Sequence, residues 1–111
     1  MVDPFPMRVA AARITLDFYN NSSIPKKHAM LEKLCADVRK QFQVSAGEIA
    51  DFEDPEKCVI GFAQVIPDSW NTLGVRALIE KLCRYIDENS EARVMTEETE
   101  ILYLERDSEG S

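Results

Sequence analysis

The order in which two hydrophobic periodicities alternate is the feature that most constrains the fold of this chain. Between residues 7 and 18, apolar residues recur at every second position, which is typical of a strand with one buried face. Residues 24–42 change to spacings of three and four, which indicate an amphipathic helix. The change from strand to helix occurs again further along, so the predicted order is strand, helix, strand, strand, helix, strand.

Turn and cap residues delimit the first strand and helix. A run of Asn and Ser over residues 20–23 ends the strand, and Ser23 is the expected helix cap, followed by Pro25 in the first turn. The strand side expected to be buried comprises Ala10, Ala12, Ile14, Leu16 and Phe18. The apolar stripe of the helix comprises Leu31, Leu34, Cys35, Val38 and Phe42.

The second half of the chain gives two more strands, a helix and a last strand. Residues 43–51 are predicted as a strand with a bulge at Gly47, and the nearly continuous apolar run 57–66 as a central strand. Pro67 to Ser69 is expected to cap the second helix, which ends at Asn89 and Ser90 and is followed by a strand over 92–105. The stripe of this helix comprises Val75, Leu78, Ile79, Leu82, Cys83 and Ile86.

This β-α-β-β-α-β order predicts an α+β, ferredoxin-like sandwich. Its four-stranded antiparallel sheet would carry both helices on one face, with the first and third strands in the middle. The length of 111 residues suits one domain, over 7–105, with an N-terminal extension at 1–6 and a flexible tail at 106–111. The second face of the sheet would then be open, and available for binding or self-association.

The open face is expected to be flat and built from small and β-branched residues. The candidate dimer face comprises Val9, Ala11, Arg13, Val59, Ala63 and Val65. This assignment requires Cys58, Ile60 and Phe62 to point at the helices. In the opposite phase Phe62 would be exposed, and stacking of RNA bases on the sheet would gain weight.

Charge is distributed unevenly along the chain. The formal net charge is −7, which disfavours free nucleic acid as a partner. Residues 21–42 nevertheless carry five basic and two acidic side chains, whereas residues 87–107 carry two basic and eight acidic ones. A candidate anion- or RNA-binding cluster lies at the start of the first helix, where backbone amides also favour an anion: Lys26, Lys27, His28 and Lys33.

No catalytic, metal or cofactor site is predicted. His28 is the only histidine, and the three cysteines include no C-x-x-C pair, so an oriented base beside a nucleophile and a zinc site are both unsupported. The start of the chain lacks the character of a signal peptide, and no apolar run is long enough to span a membrane. A cytoplasmic protein is therefore expected.

Several segments resemble DUF503, a family of small bacterial proteins of unknown function that includes YlxP-like proteins. The resemblance is carried by Ser23–His28, Leu34–Phe42, Val44–Ile49 and Ile60–Ala63. Lys27 and Glu48 match the family pattern, whereas Pro25 and His28 replace its usual Lys and Arg. The resemblance implies a ferredoxin-like domain and, through the frequent neighbourhood of translation-factor genes, a role linked to the ribosome or RNA.

Two functions remain open from the sequence. The first is a non-enzymatic interaction module, linked to translation, that forms a homodimer through its open sheet face or a sheet edge. The alternative is an RNA- or ribosome-binding domain that uses the basic helix from Lys26 to Lys40. An enzyme acting on a small molecule is a third possibility, because a fold this common does not determine function.

Overall fold

Four strands and two helices follow one another in the predicted order in the computed structural model, which describes residues 7–67 and 69–104. The elements are β1 Met7–Asp17, α1 Ile24–Phe42, β2 Ser45–Ala50, β3 Lys57–Ile66, α2 Thr72–Asn89 and β4 Arg93–Leu104. The strands form one antiparallel sheet in the order β2-β3-β1-β4. The predicted α+β, ferredoxin-like architecture is therefore confirmed. The predicted extension 1–6 and tail 106–111 lie outside the described residues.

Both helices pack on one face of the sheet, called here the inner face, and leave the other as the open face. The alternating residues of β1 and β3 supply the buried strand side, with Ile14, Leu16, Cys58 and Ile60 all 0% exposed. Phe62 is also buried, so the predicted phase of β3 is confirmed and the exposed-Phe62 alternative is wrong. Each large apolar side chain buried here contributes about 1.5–3 kcal/mol.

The stripes of both helices complete the core. The buried residues of α1 include Leu31, Leu34, Cys35 and Val38, and those of α2 are Val75, Ile79, Leu82 and Ile86. Phe42, Leu78 and Cys83 are partly buried and pack against the core. The three-and-four spacing in the sequence thus identified the packed side of each helix correctly.

Helix α1 begins and ends as its cap chemistry requires. The backbone N–H of Lys26 donates to the Ser23 hydroxyl at 3.2 Å, which confirms Ser23 as the cap, and Pro25 lies in the first turn. Gln43 ends the helix in the left-handed conformation and donates its N–H to the Arg39 carbonyl. This geometry makes β2 start at Ser45, two residues later than predicted.

The bulge predicted at Gly47 is wrong. Gly47 pairs regularly with Gly61, and the irregularity in β2 falls between Glu48 and Ala50. Asp51, the first residue after the strand, adopts a positive φ.

The expected cap of α2 is also wrong. Ser69 lies outside the helix, Asp68 lies outside the described residues, and Asn71 is the residue that caps. The Asn71 side chain accepts from the backbone N–H of Gly74 at 3.0 Å. Trp70 packs beside Gly74 and against a small cluster under the far end of the sheet, and this packing fixes where the helix begins.

Candidate functional site

The open face is one continuous surface across the two central strands. The register places Val9 beside Val65, Ala11 beside Ala63, and Thr15 beside Val59. All six residues of the predicted dimer face therefore lie together on the open face: Val9, Ala11, Arg13, Val59, Ala63 and Val65. Val65 is 64% exposed, so the patch is open to a partner.

The outer strands extend this apolar surface with residues that sequence analysis did not include. Leu102 pairs with Val9 and Leu104 pairs with Met7, and all three of Met7, Leu102 and Leu104 are exposed. On the other side, Ile49 is 51% exposed and lies over Gly61, 3.2 Å from the position that a Cβ atom would occupy. The alternation in β4 could have revealed the leucines, whereas Ile49 depends on the irregularity in β2.

An ion pair lies in the middle of the open face. Arg13 donates two hydrogen bonds to the Glu98 carboxylate, both of 2.9 Å, and the two side chains are 58% and 62% exposed. The bidentate contact raises the pKa of Arg13 and lowers the pKa of Glu98, chiefly through the hydrogen bonds and then through the charges. The open face therefore presents this ion pair among small apolar side chains, together with Glu100, which lies beside Ala11 on β4 and has no basic partner among the described residues.

The predicted basic cluster does not form one surface, because Lys27 is 0% exposed. Its ammonium donates to the backbone carbonyls of Asp51 at 2.7 Å and Lys57 at 2.9 Å. It also lies 3.5 Å from the Glu48 carboxylate, which is 15% exposed. Lys27 therefore ties α1 to the connection between β2 and β3 and points away from solvent, so its assignment to an exposed anion site is not supported.

The other members of that cluster are exposed, but His28 contacts the β2–β3 connection and does not join the lysines. The His28 Nε2 atom lies 3.0 Å from the Phe52 carbonyl and 3.8 Å from Glu48, on the same connection that Lys27 holds. Lys26 and Lys33 are exposed on α1. Lys40 lies another seven residues along and is exposed as well, so these three lysines follow one line on the solvent side of the helix.

The cysteines are packed thiols. Cys35 and Cys58 are buried, and burial raises the pKa of Cys35 and raises that of Cys58 to about 12. Cys83 is partly buried, and burial followed by a hydrogen bond to Glu97 raises its pKa to about 12. At neutral pH these groups are protonated and have little nucleophilic character.

An acidic side chain in the connection between β2 and β3 stabilises the turn through hydrogen bonds to its backbone. The Asp54 carboxylate accepts from the backbone N–H groups of Glu56 at 2.8 Å and Lys57 at 3.0 Å. These bonds lower the pKa of Asp54, the Lys57 bond having the larger effect. Among residues 7–67 and 69–104, His, Cys, Asp and Glu side chains form no group of three or more that is placed to hold a metal.

The family comparison agrees with this description. The model of the family described as "Protein of unknown function (DUF503)" matches residues 9–99. The chain belongs to the DUF503 family. The match runs from the start of the open face in β1 to Thr99 in β4, so the DUF503 domain includes both helices and nearly the whole sheet.

The other findings on this DUF503 domain are brief. No curated protein matches the chain. Within the described residues, neither helix is apolar enough over a sufficient length to cross a membrane. The DUF503 description names no activity, so function has to be inferred from the surfaces above.

Proposed function

We propose that this DUF503 domain is a non-enzymatic interaction module that forms a homodimer through the open face. The observation that supports the proposal best is the continuous exposed apolar surface on neighbouring strands, from Val9 and Val65 to Leu102 and Leu104. Small and branched side chains on a flat sheet pack closely against a second sheet. A surface of this kind on a monomer would be costly to leave in water.

The size of the open face is compatible with a specific but modest interface. Four strands about 4.8 Å apart and ten residues of about 3.3 Å each give roughly 600 Å² per protomer. Two copies would then bury about 1,200 Å², which is at the lower end for specific complexes. We therefore expect a dimer whose population depends on concentration in the micromolar range.

Charge on the open face is compatible with a second copy of the same chain. A two-fold axis brings the same surface of each protomer together, so the surface must complement itself. Arg13 and Glu98 lie side by side on that surface, and rotation about an axis near them brings each close to its opposite in the other copy. A face with only one sign of charge would be repelled by itself.

Charge introduced at the centre of the open face tests the proposal. Ala11→Glu and Ala63→Glu each place a carboxylate at the middle of the patch, where a monomer can leave it in water but a dimer must bury it. We expect either change to weaken dimerisation at least about a hundredfold, measured by sedimentation velocity over a range of concentrations. Ala77→Glu, at an exposed position on α2, makes the same change on another surface and should leave the dimer intact.

Unfolding midpoints measured on the same variants distinguish loss of the interface from loss of the folded state. Variants that stay folded and become monomeric support the proposal. A wild-type chain that is monomeric at millimolar concentration, or Ala63→Glu dimers as strong as those of Ala77→Glu, would contradict it.

The line of exposed lysines on α1 favours one alternative, binding of RNA or the ribosome. Lys26, Lys33 and Lys40 recur every seven residues, about 10.5 Å apart along the helix. No carboxylate of the described residues lies within ion-pair distance of these three ammonium groups. Such a line can contact successive phosphates of a nucleic-acid backbone.

Reversal of these charges tests the RNA alternative. Lys33→Glu with Lys40→Glu should reduce the affinity for a single-stranded RNA about tenfold or more. The salt dependence of binding should also flatten, because a phosphate that is no longer contacted keeps its counterions and releases none on binding. Lys81→Glu with Arg84→Glu makes the same change in charge on the exposed side of α2 and serves as the control. Equal affinities of the two double variants for RNA would eliminate α1 as the binding surface.

A link to translation is part of the proposal and rests on the family resemblance, and a cytoplasmic location is part of the proposal as well. Affinity capture from lysate with and without RNase distinguishes the two functions. Ribosomal material that survives RNase and is lost in Ala63→Glu supports a protein interface, whereas material lost with RNase supports the alternative.

A further inference from the structure

Strand β4 has one free edge. It is the last strand in the order β2-β3-β1-β4, so among residues 7–67 and 69–104 only the edge facing β1 is paired. The register shift beside β1 leaves Met95 out of the ladder, and from Thr96 to Leu104 the strand pairs without interruption. This run contains no Pro or Gly. A long, regular free edge presents backbone N–H and C=O groups that a further strand can pair with.

A groove lies beside this edge on the inner face, between β4 and α2. It has a volume of about 500 Å³, and its apolar part is formed by Val75, Ile79, Ile101 and Tyr103. Alternate side chains of a strand point to the same side of a sheet. A strand added next to β4 would therefore direct every second side chain towards this groove, where apolar side chains fit the part formed by these four residues. The rest of the lining is polar or charged and comprises Thr72, Arg76, Glu97, Thr99 and, at the rim, Glu100.

The charges on β4 disfavour a second copy of β4 as the added strand. Glu97, Glu98 and Glu100 cluster in the middle of the strand. In any antiparallel register centred within residues 97–100, glutamates of the two copies lie directly opposite or on the diagonal. Like charges at such positions destabilise strand pairing.

The same charges favour a basic partner. Arg13 already binds Glu98, whereas no Lys, Arg or His of the described residues lies within ion-pair distance of Glu97 or Glu100. Glu100 pairs with Ala11 and so belongs to the side of β4 opposite the groove. An added strand with apolar residues towards the groove therefore places its other residues near Glu100, where Lys or Arg would be complementary.

We propose that the free edge of β4, together with the α2–β4 groove, binds an extended segment of another protein in which basic and apolar residues alternate. Backbone hydrogen bonds to β4 supply the pairing, and the groove receives the apolar side chains. Glu100 selects the cations on the other side of the strand, and Glu97, on the groove side, adds to the negative potential of the edge. The backbone edge of β4 and the groove lie outside the open face, so they remain accessible when the open face is covered by a second copy, whereas Glu100 lies beside Ala11 at the margin of that face.

A synthetic peptide tests this proposal directly. The probe is an acetylated and amidated peptide of alternating Lys and Val, long enough to lie along Thr96–Leu104. A second peptide has the same sequence with N-methyl groups on every backbone amide, which prevents strand pairing along either edge and retains the charge. We expect the first to bind, with NMR shifts concentrated in residues 96–104 and 72–79, and the second not to bind. Binding should weaken with salt.

Variants of the protein separate the edge site from general attraction to an acidic molecule. Glu97→Lys with Glu100→Lys should weaken binding of the Lys-Val peptide at least about fivefold. Glu32→Lys with Glu53→Lys makes the same change in net charge at exposed positions on α1 and the β2–β3 connection, and should retain most of the affinity. The peptide titration is repeated on Ala63→Glu. An affinity for the peptide equal to that of the wild type would show that this site does not depend on the homodimer.

Three results would overturn the proposal: equal binding of the N-methylated peptide, equal weakening in both double variants, or shifts confined to other strands. Sedimentation and amide hydrogen exchange of the protein without peptide give the remaining test. A dimer whose β4 amides are protected from exchange and are unaffected by the peptide would assign the edge to a second copy instead.

Discussion

Lys27 is the residue whose role the structure changes most. Its ammonium is buried, donates to two backbone carbonyls and lies beside the Glu48 carboxylate. Both residues match the DUF503 pattern, so this part of the pattern corresponds to a contact inside the fold. The sequence contained the signal, because Lys27 precedes Leu31 by four residues and Leu34 by seven and so lies on the apolar stripe of α1.

Removal of the Lys27 ammonium should destabilise the protein strongly. Lys27→Met keeps most of the aliphatic chain but leaves the Glu48 carboxylate without its ion-pair partner and two backbone carbonyls without their donor. We expect the free energy of unfolding to fall by about 3 kcal/mol, the range found when one partner of a buried ion pair is removed. Urea unfolding monitored by circular dichroism measures this change.

The neighbouring residue provides the control. Lys26→Met makes the same substitution at an exposed position, where the free energy of unfolding should change by less than about 0.5 kcal/mol. If Lys27→Met were as stable as Lys26→Met, the ammonium would not be holding the β2–β3 connection.

At the scale of the elements, the start of α2 differs most clearly from its sequence prediction. Asn71→Ala removes the acceptor for the Gly74 N–H and should lower the free energy of unfolding by about 1 kcal/mol. Ser69→Ala, at the position that sequence analysis favoured, should change it by less than about 0.5 kcal/mol. A larger loss from Ser69→Ala than from Asn71→Ala, in the same unfolding assay, would restore the original assignment.

The elements themselves were largely predictable because periodicity is a property of many residues at once. The bounds of α1 and β3 agree with the prediction, and the buried phase of β3 follows from Cys58, Ile60 and Phe62. The ends were less predictable, since several residues near Ser69 can cap a helix and the local sequence does not show that Asn71 is the one that does.

The candidate surfaces also differ in how far the sequence predicts them. The central part of the open face follows from alternation in β1 and β3, and its six predicted residues do lie together. The position of Ile49 over Gly61 depends on an irregular pair in β2, which no local pattern indicates. The α2–β4 groove could not be predicted from the sequence. Its two elements are adjacent in the chain, but the distance between them depends on how the whole sheet packs.

At the scale of the molecule, charge and apolar surface are segregated. The exposed lysines lie on α1 and the glutamates lie on β4 at the sheet edge. The open face carries small apolar residues around the Arg13–Glu98 ion pair, with Glu100 at its β4 margin. This arrangement provides three separate surfaces, and it explains how an acidic domain can present a local basic line. In the proposed dimer only the open face is buried, and the other two surfaces stay free.

Intermolecular NOEs in a mixed sample of isotope-labelled and unlabelled protein test this central claim most directly. We predict NOEs between copies from the methyl groups of Ala11, Ala63 and Val65, which increase with protein concentration and vanish in Ala63→Glu. A monomer at millimolar concentration, or intermolecular NOEs that involve the helices and not these methyl groups, would contradict the account.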